Sequence, residues 1–346
     1  MDHIKILKRS FSITRDYRAL WVFGVLLALT TGGSANGGGN GGGGGDGGGG
    51  GGWPSGDWPE ISPEIITALI VTGIAVLIVG LILIVASAIL RYVSETALIR
   101  MVDQHEVNNE KHGVRQGFRL GWSRPALRLF LMDLLIGVSG MVILLFLLLV
   151  SATPLLVWLT ESLPARVFGT MLTIGLAVLV IFAAIAVGIA LSLLLQFFRR
   201  AIVLENLGVL DGMRRGLQVV RQRLGDVILM GLILFGLGLA WVIVSIPIII
   251  ALLMAALVVG GLPALLFGMI AGLFTEGAIP WIVAAVVGFP IFFIVIAAPM
   301  LFLSGLVETY QSSTWTLTYR ELLALESARP SPAGNNKLPP ELPAQA

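Results

Sequence analysis

Side chains able to do chemistry are few in this chain, and the densest group is Asp103, His105, Glu106, Glu110 and His112. A metal site needs ligands that converge with a supporting outer shell. The two histidines stand seven residues apart, not at the i, i+4 spacing of one helical face, so the stretch reads as a solvated loop. The next candidates are single carboxylates in or beside apolar sequence. Asp133 lies five residues after Arg128, inside a charge-free run. An ionisable group in hydrocarbon costs about 2.5–3.5 kcal/mol on insertion scales and is kept where it is used. The simpler expectation is that Asp133 reaches the interface or pairs with Arg128. Glu308 lies past Leu303, near the inner boundary. No His-Glu-x-x-His, Gly-x-Ser-x-Gly or phosphate-loop lysine motif occurs, and without cysteine there is no thiolate ligand or nucleophile. The chain is therefore expected to have no catalytic centre, cofactor or metal.

What the sequence does supply is positive charge on amphipathic segments. In LDGMRRGLQVVRQRLGDVILMGLILFG (210–236), Leu210, Met213, Leu217, Val220 and Leu224 recur at helical spacing as one apolar stripe. Arg214, Arg215, Gln218, Arg221 and Gln222 fill the rest of the circumference, and from Val227 onward the charges stop. This pattern predicts a helix lying on an anionic membrane surface before the chain turns into the bilayer. The start of the chain and the region around Arg115 follow the same plan less cleanly, with Lys111, Gly121 and Pro125 interrupting the second. Lys8, Arg9, Arg115, Arg119, Arg214, Arg215, Arg221 and Arg223 are thus candidate contacts to anionic phospholipid headgroups, each worth ~1 kcal/mol near such a surface. The plainer role for them is to set orientation. They are spread over separated segments rather than gathered on a projecting domain, which argues against nucleic acid as a partner.

A membrane must position these helices. The 346 residues are 56% hydrophobic and 12% charged, against roughly 25% charged in a soluble domain, so the surplus apolar surface has to face lipid. The fold class expected is all-α, a polytopic membrane protein. Its six transmembrane helices are placed at about 19–31, 64–90, 129–153, 168–198, 227–259 and 279–303 within a membrane domain, 1–308. The first is short for a span, and a cleaved signal peptide is its competing reading. Gly32–Gly52 is almost pure glycine and predicts a flexible extracytoplasmic loop over 32–60, with Trp53 and Trp58 as headgroup-level anchors. Ser62-Pro63-Glu64 is a helix start. Leu262–Phe274 is apolar but too short to cross, so it is expected at the interface. Ala184, Gly188 and Ser192, four residues apart, predict close helix packing, and Pro247, Pro290 and Pro299 predict kinks. Residues 309–328 are expected to form a cytoplasmic surface helix and 329–346 a disordered tail.

Charge placement sets the topology. Of the 22 Lys and Arg, 21 fall in residues 1–20, 91–128, 199–226 and the C-terminal segment, and Arg166 alone falls on the alternate side. The positive-inside rule then puts both termini in the cytoplasm of a cell that carries the chain in its cytoplasmic membrane. Tryptophan gives the same answer: Trp53, Trp58, Trp158 and Trp281 fall at the outer boundary, Trp21, Trp122 and Trp315 at the inner one.

The chain also repeats. Aligned without gaps, Lys8-Arg9-Ser10-Phe11, Arg115-Gln116-Gly117-Phe118 and Arg214-Arg215-Gly216-Leu217 each precede an apolar span by about a dozen residues. Each span is followed by a second, charge-free one that returns, which predicts three parallel hairpins, each opened by a basic surface helix. On RAIVLENLGVLDGMRRGLQVVRQRLGDVILMGLIL (200–234) and the closing WTLTYRELL (315–323), the chain resembles the multi-pass membrane domain attached to bacterial glycerophosphodiester phosphodiesterases, and its stand-alone relatives of unassigned function. In the fused proteins the implied hydrolytic activity belongs to a separate soluble barrel, which this chain lacks, so no catalytic residue carries over. The expected function is a non-enzymatic membrane protein that organises or binds lipids or a membrane protein partner. The alternative is a transporter or channel subunit for an uncharged or lipidic solute.

Overall fold

The computed structural model describes residues 1–31 and 63–328. The expected glycine-rich loop, the Trp53 and Trp58 anchors, the Ser62 cap and the expected tail lie outside the described residues. Within them all regular structure is helical: α1 (His3–Asp16), α2 (Ala19–Thr30), α3 (Pro63–Asn108), α4 (Val114–Gly121), α5 (Arg124–Ser151), a 3-10 turn (Thr153–Leu159), α6 (Leu163–Leu204), α7 (Val209–Gln222), α8 (Leu224–Gly272) and α9 (Ile279–Ser327). Local chemistry explains several starts. The Asp2 carboxylate accepts the Lys5 backbone N–H at 3.0 Å, satisfying an end donor of α1. Pro125, Pro164 and Pro280 sit in first turns, where no N–H is needed. Asn109 and Asn206 adopt left-handed φ of 54° and 53° just past the ends of α3 and α6. At the α8–α9 turn Gly277 has φ 78°, a conformation that disfavours any side chain.

Five helices are long and apolar enough to cross a bilayer: those of Ile70–Asn108, Arg124–Leu159, Leu163–Leu204, Leu224–Gly272 and Ile279–Ser327. The chain is a multi-pass membrane protein. The sixth expected span is α2, only 12 residues long and so about 18 Å, against ~30 Å of hydrocarbon. It packs on α3 and α9, with Leu20, Phe23, Leu27 and Ala28 buried.

The helices run further than the apolar stretches that predicted them. Residues 91–108 are the continuing end of α3, and Val93, Leu98, Ile99, Met101 and Val102 on it are buried. Leu262–Phe274 is not a separate element. Its residues through Gly272 belong to α8, which passes Pro247 and Pro263 unbroken for 49 residues, about 73 Å. Residues 309–327 are likewise not a separate surface helix but the end of α9, with Thr309, Ser313, Thr314, Thr316 and Thr318 buried. Trp315, expected at the inner membrane boundary, is 6% exposed and stacks edge-on with Phe197 at 5.6 Å.

The C-terminal ends of α3, α6 and α9 meet, and this is where the buried residues gather. Each end carries a short helix against it: α4 on α3, α7 on α6, α1 on α9. The first and last segments of the described chain therefore pack together. Small residues permit these approaches. A Cβ at Gly117 would meet Met101, and one at Gly121 would meet Val93, so α4 runs antiparallel to α3. Gly212 faces Ile202 and Gly216 faces Phe198, which gives α7 the same sense on α6.

The stripe of Ala184, Gly188 and Ser192 does not act as expected, because a Cβ at Gly188 would meet nothing within 4 Å. Close packing occurs elsewhere. A Cβ at Gly268 would lie 2.9 Å from that of Ala284, and one at Gly288 2.6 Å from that of Ala264, which seats the C-terminal half of α8 against the N-terminal half of α9.

Candidate functional site

Where the three long helices meet, a charged cluster is shut away from solvent. Arg199 on α6 donates from Nη1 to Glu95 Oε1 of α3 at 2.8 Å and from Nη2 to Asp133 Oδ2 of α5 at 2.9 Å. Tyr92, one turn before Glu95, adds its hydroxyl to Asp133 Oδ2 at 3.2 Å. The side chains of Arg199, Glu95 and Asp133 are 15%, 8% and 15% exposed. One guanidinium thus bridges three helices, and its planar fork suits two carboxylates at once. Arg200 beside it is 2% exposed and touches no carboxylate; it donates to the Gln196 carbonyl at 2.6 Å, Gln196 Oε1 at 2.8 Å and the Ser312 carbonyl of α9 at 3.2 Å.

Asp133 is therefore tied to Arg199 and not, as its spacing suggested, to Arg128. Arg128 donates to the Asn206 and Leu207 carbonyls at 2.7 and 2.9 Å, holding the α6–α7 turn. Buried Glu95 Oε2, Asp133 Oδ1, Arg199 Nε, Arg200 Nε and Ser312 Oγ have no hydrogen-bond partner. Unsatisfied buried polar atoms of this kind are typical of a site that holds water or a polar group. Among the described residues no group of three or more His, Asp or Glu is placed to hold a metal ion.

The histidine-bearing stretch is an exposed loop only from Asn109 onward; up to Asn108 it is the end of α3. His105 is 6% exposed on α3, with its ring 5.4 Å from Tyr17 at the α1–α2 corner. The Tyr17 hydroxyl donates to the His112 carbonyl at 2.9 Å, and burial pushes the phenol up from its ordinary range. It stays protonated and fastens that corner to the turn before α4. Asp103 receives Arg320 of α9 at 3.1 Å, so this stretch too serves the helix junction. Glu308 lies near Glu95, Arg199 and Arg91 and belongs to the same neighbourhood.

The eight basic candidates divide into two groups. Arg9 pairs with Glu106 at 3.0 Å, Arg215 with Glu326 at 2.8 Å and Glu205 at 3.3 Å, and Arg223 with Asp226 at 3.9 Å. Lys8, Arg115, Arg119, Arg214 and Arg221 are exposed and form no ion pair among the described residues. The face of α7 that is buried consists of Gly212, Gly216, Val219 and Val220, turned to α6, whereas Leu210 is 61% exposed. The stripe read from the sequence is thus rotated, because glycine lets α7 approach Phe198 and Ile202 closely.

Arg215 and Arg214 should behave differently as a result. Arg215 links α7 to α6 and α9, and Tyr319 donates to the same Glu205. The Arg215→Gln protein is expected to lose about 1 kcal/mol of stability, the usual scale for a partly exposed pair, and Arg214→Gln none. Thermal unfolding in detergent reads both, and equal melting temperatures would remove Arg215 from the framework.

Sequence reasoning missed Glu95, Arg199 and Arg200. One signal was present: no proline or glycine separates Ile65–Leu90 from Asn108 except Gly73 and Gly80 inside the apolar part, so nothing ends the helix at Arg91. No curated protein and no solved structure matches the chain. Over residues 9–330 it matches DUF7544, and the chain therefore belongs to this family of unknown function.

Proposed function

We propose that this chain is a non-enzymatic protein of the cytoplasmic membrane that holds anionic phospholipids, or a membrane protein partner, against its cytoplasmic face. Both termini are cytoplasmic in this reading. The units α1–α3, α4–α6 and α7–α9 are three repeats of a basic helix, an ascending apolar helix and a descending long one, so that α2 completes six spans. The burial of Ser10, Gly117 and Gly216, which align in the repeat, supports this. The resemblance to the membrane domains attached to glycerophosphodiester phosphodiesterases belongs to the same reading, without their hydrolytic chemistry.

The observation that carries the proposal is the five exposed basic side chains left without carboxylates among the described residues, two of them, Lys8 and Arg214, directly beside arginines that are paired. Unpaired cations beside lipid-facing helices attract anionic headgroups. A solute pathway would instead require apolar helices packed around a polar interior. At most 6% of the most apolar window of each long helix is buried, which favours the lipid reading.

Neutralising Lys8, Arg115, Arg119, Arg214 and Arg221 to glutamine should reduce the phosphatidylglycerol that stays with the purified protein several-fold, counted by mass spectrometry. Retention equal to wild type would reject the lipid reading. Orientation is testable apart from this, since the chain has no cysteine. A single cysteine at Arg119 should react with an impermeant maleimide only in inside-out vesicles.

A further inference from the structure

We infer that the outer face of α7 and the start of α8 form one discrete site for a single anionic phospholipid, a deepening that rests on the lipid reading above. Arg214, Leu217, Gln218, Arg221 and Gln222 line one open hollow. Its polar groups are two guanidiniums and two amides; no carboxylate lines it, although the Gln222 amide donates to Glu326 at 3.4 Å behind it, which leaves Arg214, Gln218 and Arg221 as the donors facing the hollow. The hollow of α1 differs, since there Asp2 and Glu106 stand among Lys5, Lys8 and Arg9. The contrast within α7 is sharper: Arg215 and Arg223 each meet a carboxylate, and Arg214 and Arg221 do not. Arg214 and Arg221 are seven residues apart, two turns along one side of the helix, with Gln218 between them. That spacing offers a phosphodiester oxygen pair a donor from each end, in the geometry guanidinium favours for phosphate.

The apolar half of the site begins three residues beyond Arg221. Leu224, Ile228, Leu232, Phe235 and Leu239 are 49%, 57%, 63%, 58% and 51% exposed, at the spacing of one helical face of α8. From Leu224 to Leu239 that face is about 22 Å long, enough to carry an acyl chain through one leaflet of ~15 Å. A phosphate without chains would use only the hollow; a phospholipid uses both parts, and it is the occupant we assign.

The test is native mass spectrometry of the detergent-purified chain titrated with phosphatidylglycerol. Arg214→Gln/Arg221→Gln is expected to weaken the first bound lipid by about thirtyfold, from two headgroup contacts of ordinary strength. Arg115→Gln/Arg119→Gln is expected to leave the first lipid unchanged. Phosphatidylcholine of the same chains should bind weakly and alike to all three proteins, and inorganic phosphate should not displace the bound lipid. If the α4 pair costs as much as the α7 pair, lipid attraction is diffuse and the discrete site is wrong while the broader reading stands. If phosphate competes fully, the chain contact is wrong. If neither pair nor the five-residue variant loses lipid, both readings fall together.

Discussion

Arg199→Met is expected to cost about 3–5 kcal/mol, the usual price of removing one partner from a buried ion pair. The substitution leaves the buried Glu95 and Asp133 carboxylates close together with no cation in contact. The loss should appear as a large fall in the melting temperature of the detergent-solubilised protein. It should exceed that of Arg214→Met, whose exposed guanidinium has no partner. A triple variant, Glu95→Gln/Asp133→Asn/Arg199→Met, removes the stranded charges together with their counter-ion and should recover most of the lost stability, since neutralised buried sites often do as well as the original pair. If the single change costs no more than Arg214→Met, Arg199 is not the bridge among α3, α5 and α6.

The second large effect concerns the smallest side chain. Gly24→Ala would place a Cβ 2.1 Å from both the Gly305 carbonyl oxygen and Thr309 Oγ1, so the α2 and α9 backbones must part. Thr309 also donates to the Leu20 carbonyl at 3.3 Å across the same crossing, and that bond would be strained as well. Overpacking of this kind costs about 1–3 kcal/mol or more, well above the ~1 kcal/mol that alanine gains over glycine inside a helix. Gly188→Ala is the matched control: with nothing within 4 Å of the new methyl, it should be neutral or slightly stabilising. Equal melting temperatures for the two variants would mean that α2 does not pack on α9, and α2 would revert to a separate apolar segment.

Membrane character and most of the helices were legible in the residues themselves. The apolar stretches expected over 64–90, 168–198, 227–259 and 279–303 each lie inside one long helix, and 129–153 overruns the end of α5 by two residues. The reason is additive: hydrocarbon rejects charge one residue at a time, so a charge-free run speaks for itself. Where each helix stops was not legible. Glu95, Asp103 and His105 look like loop residues because they are polar, yet they remain helical because α6, α9 and the α1–α2 corner supply their partners.

Composition and charge spacing alone determined that this chain lives in a bilayer, that its basic residues sit on amphipathic segments, and that it lacks familiar catalytic motifs. Only the tertiary structure decided which cations are satisfied. Arg199 and Arg215 find carboxylates up to 111 residues away in the chain, whereas Arg214, next to Arg215, finds none. A side chain's type fixes what it can bond, but its partner is fixed by which helices are brought together, and glycines at the crossings determine how closely they come.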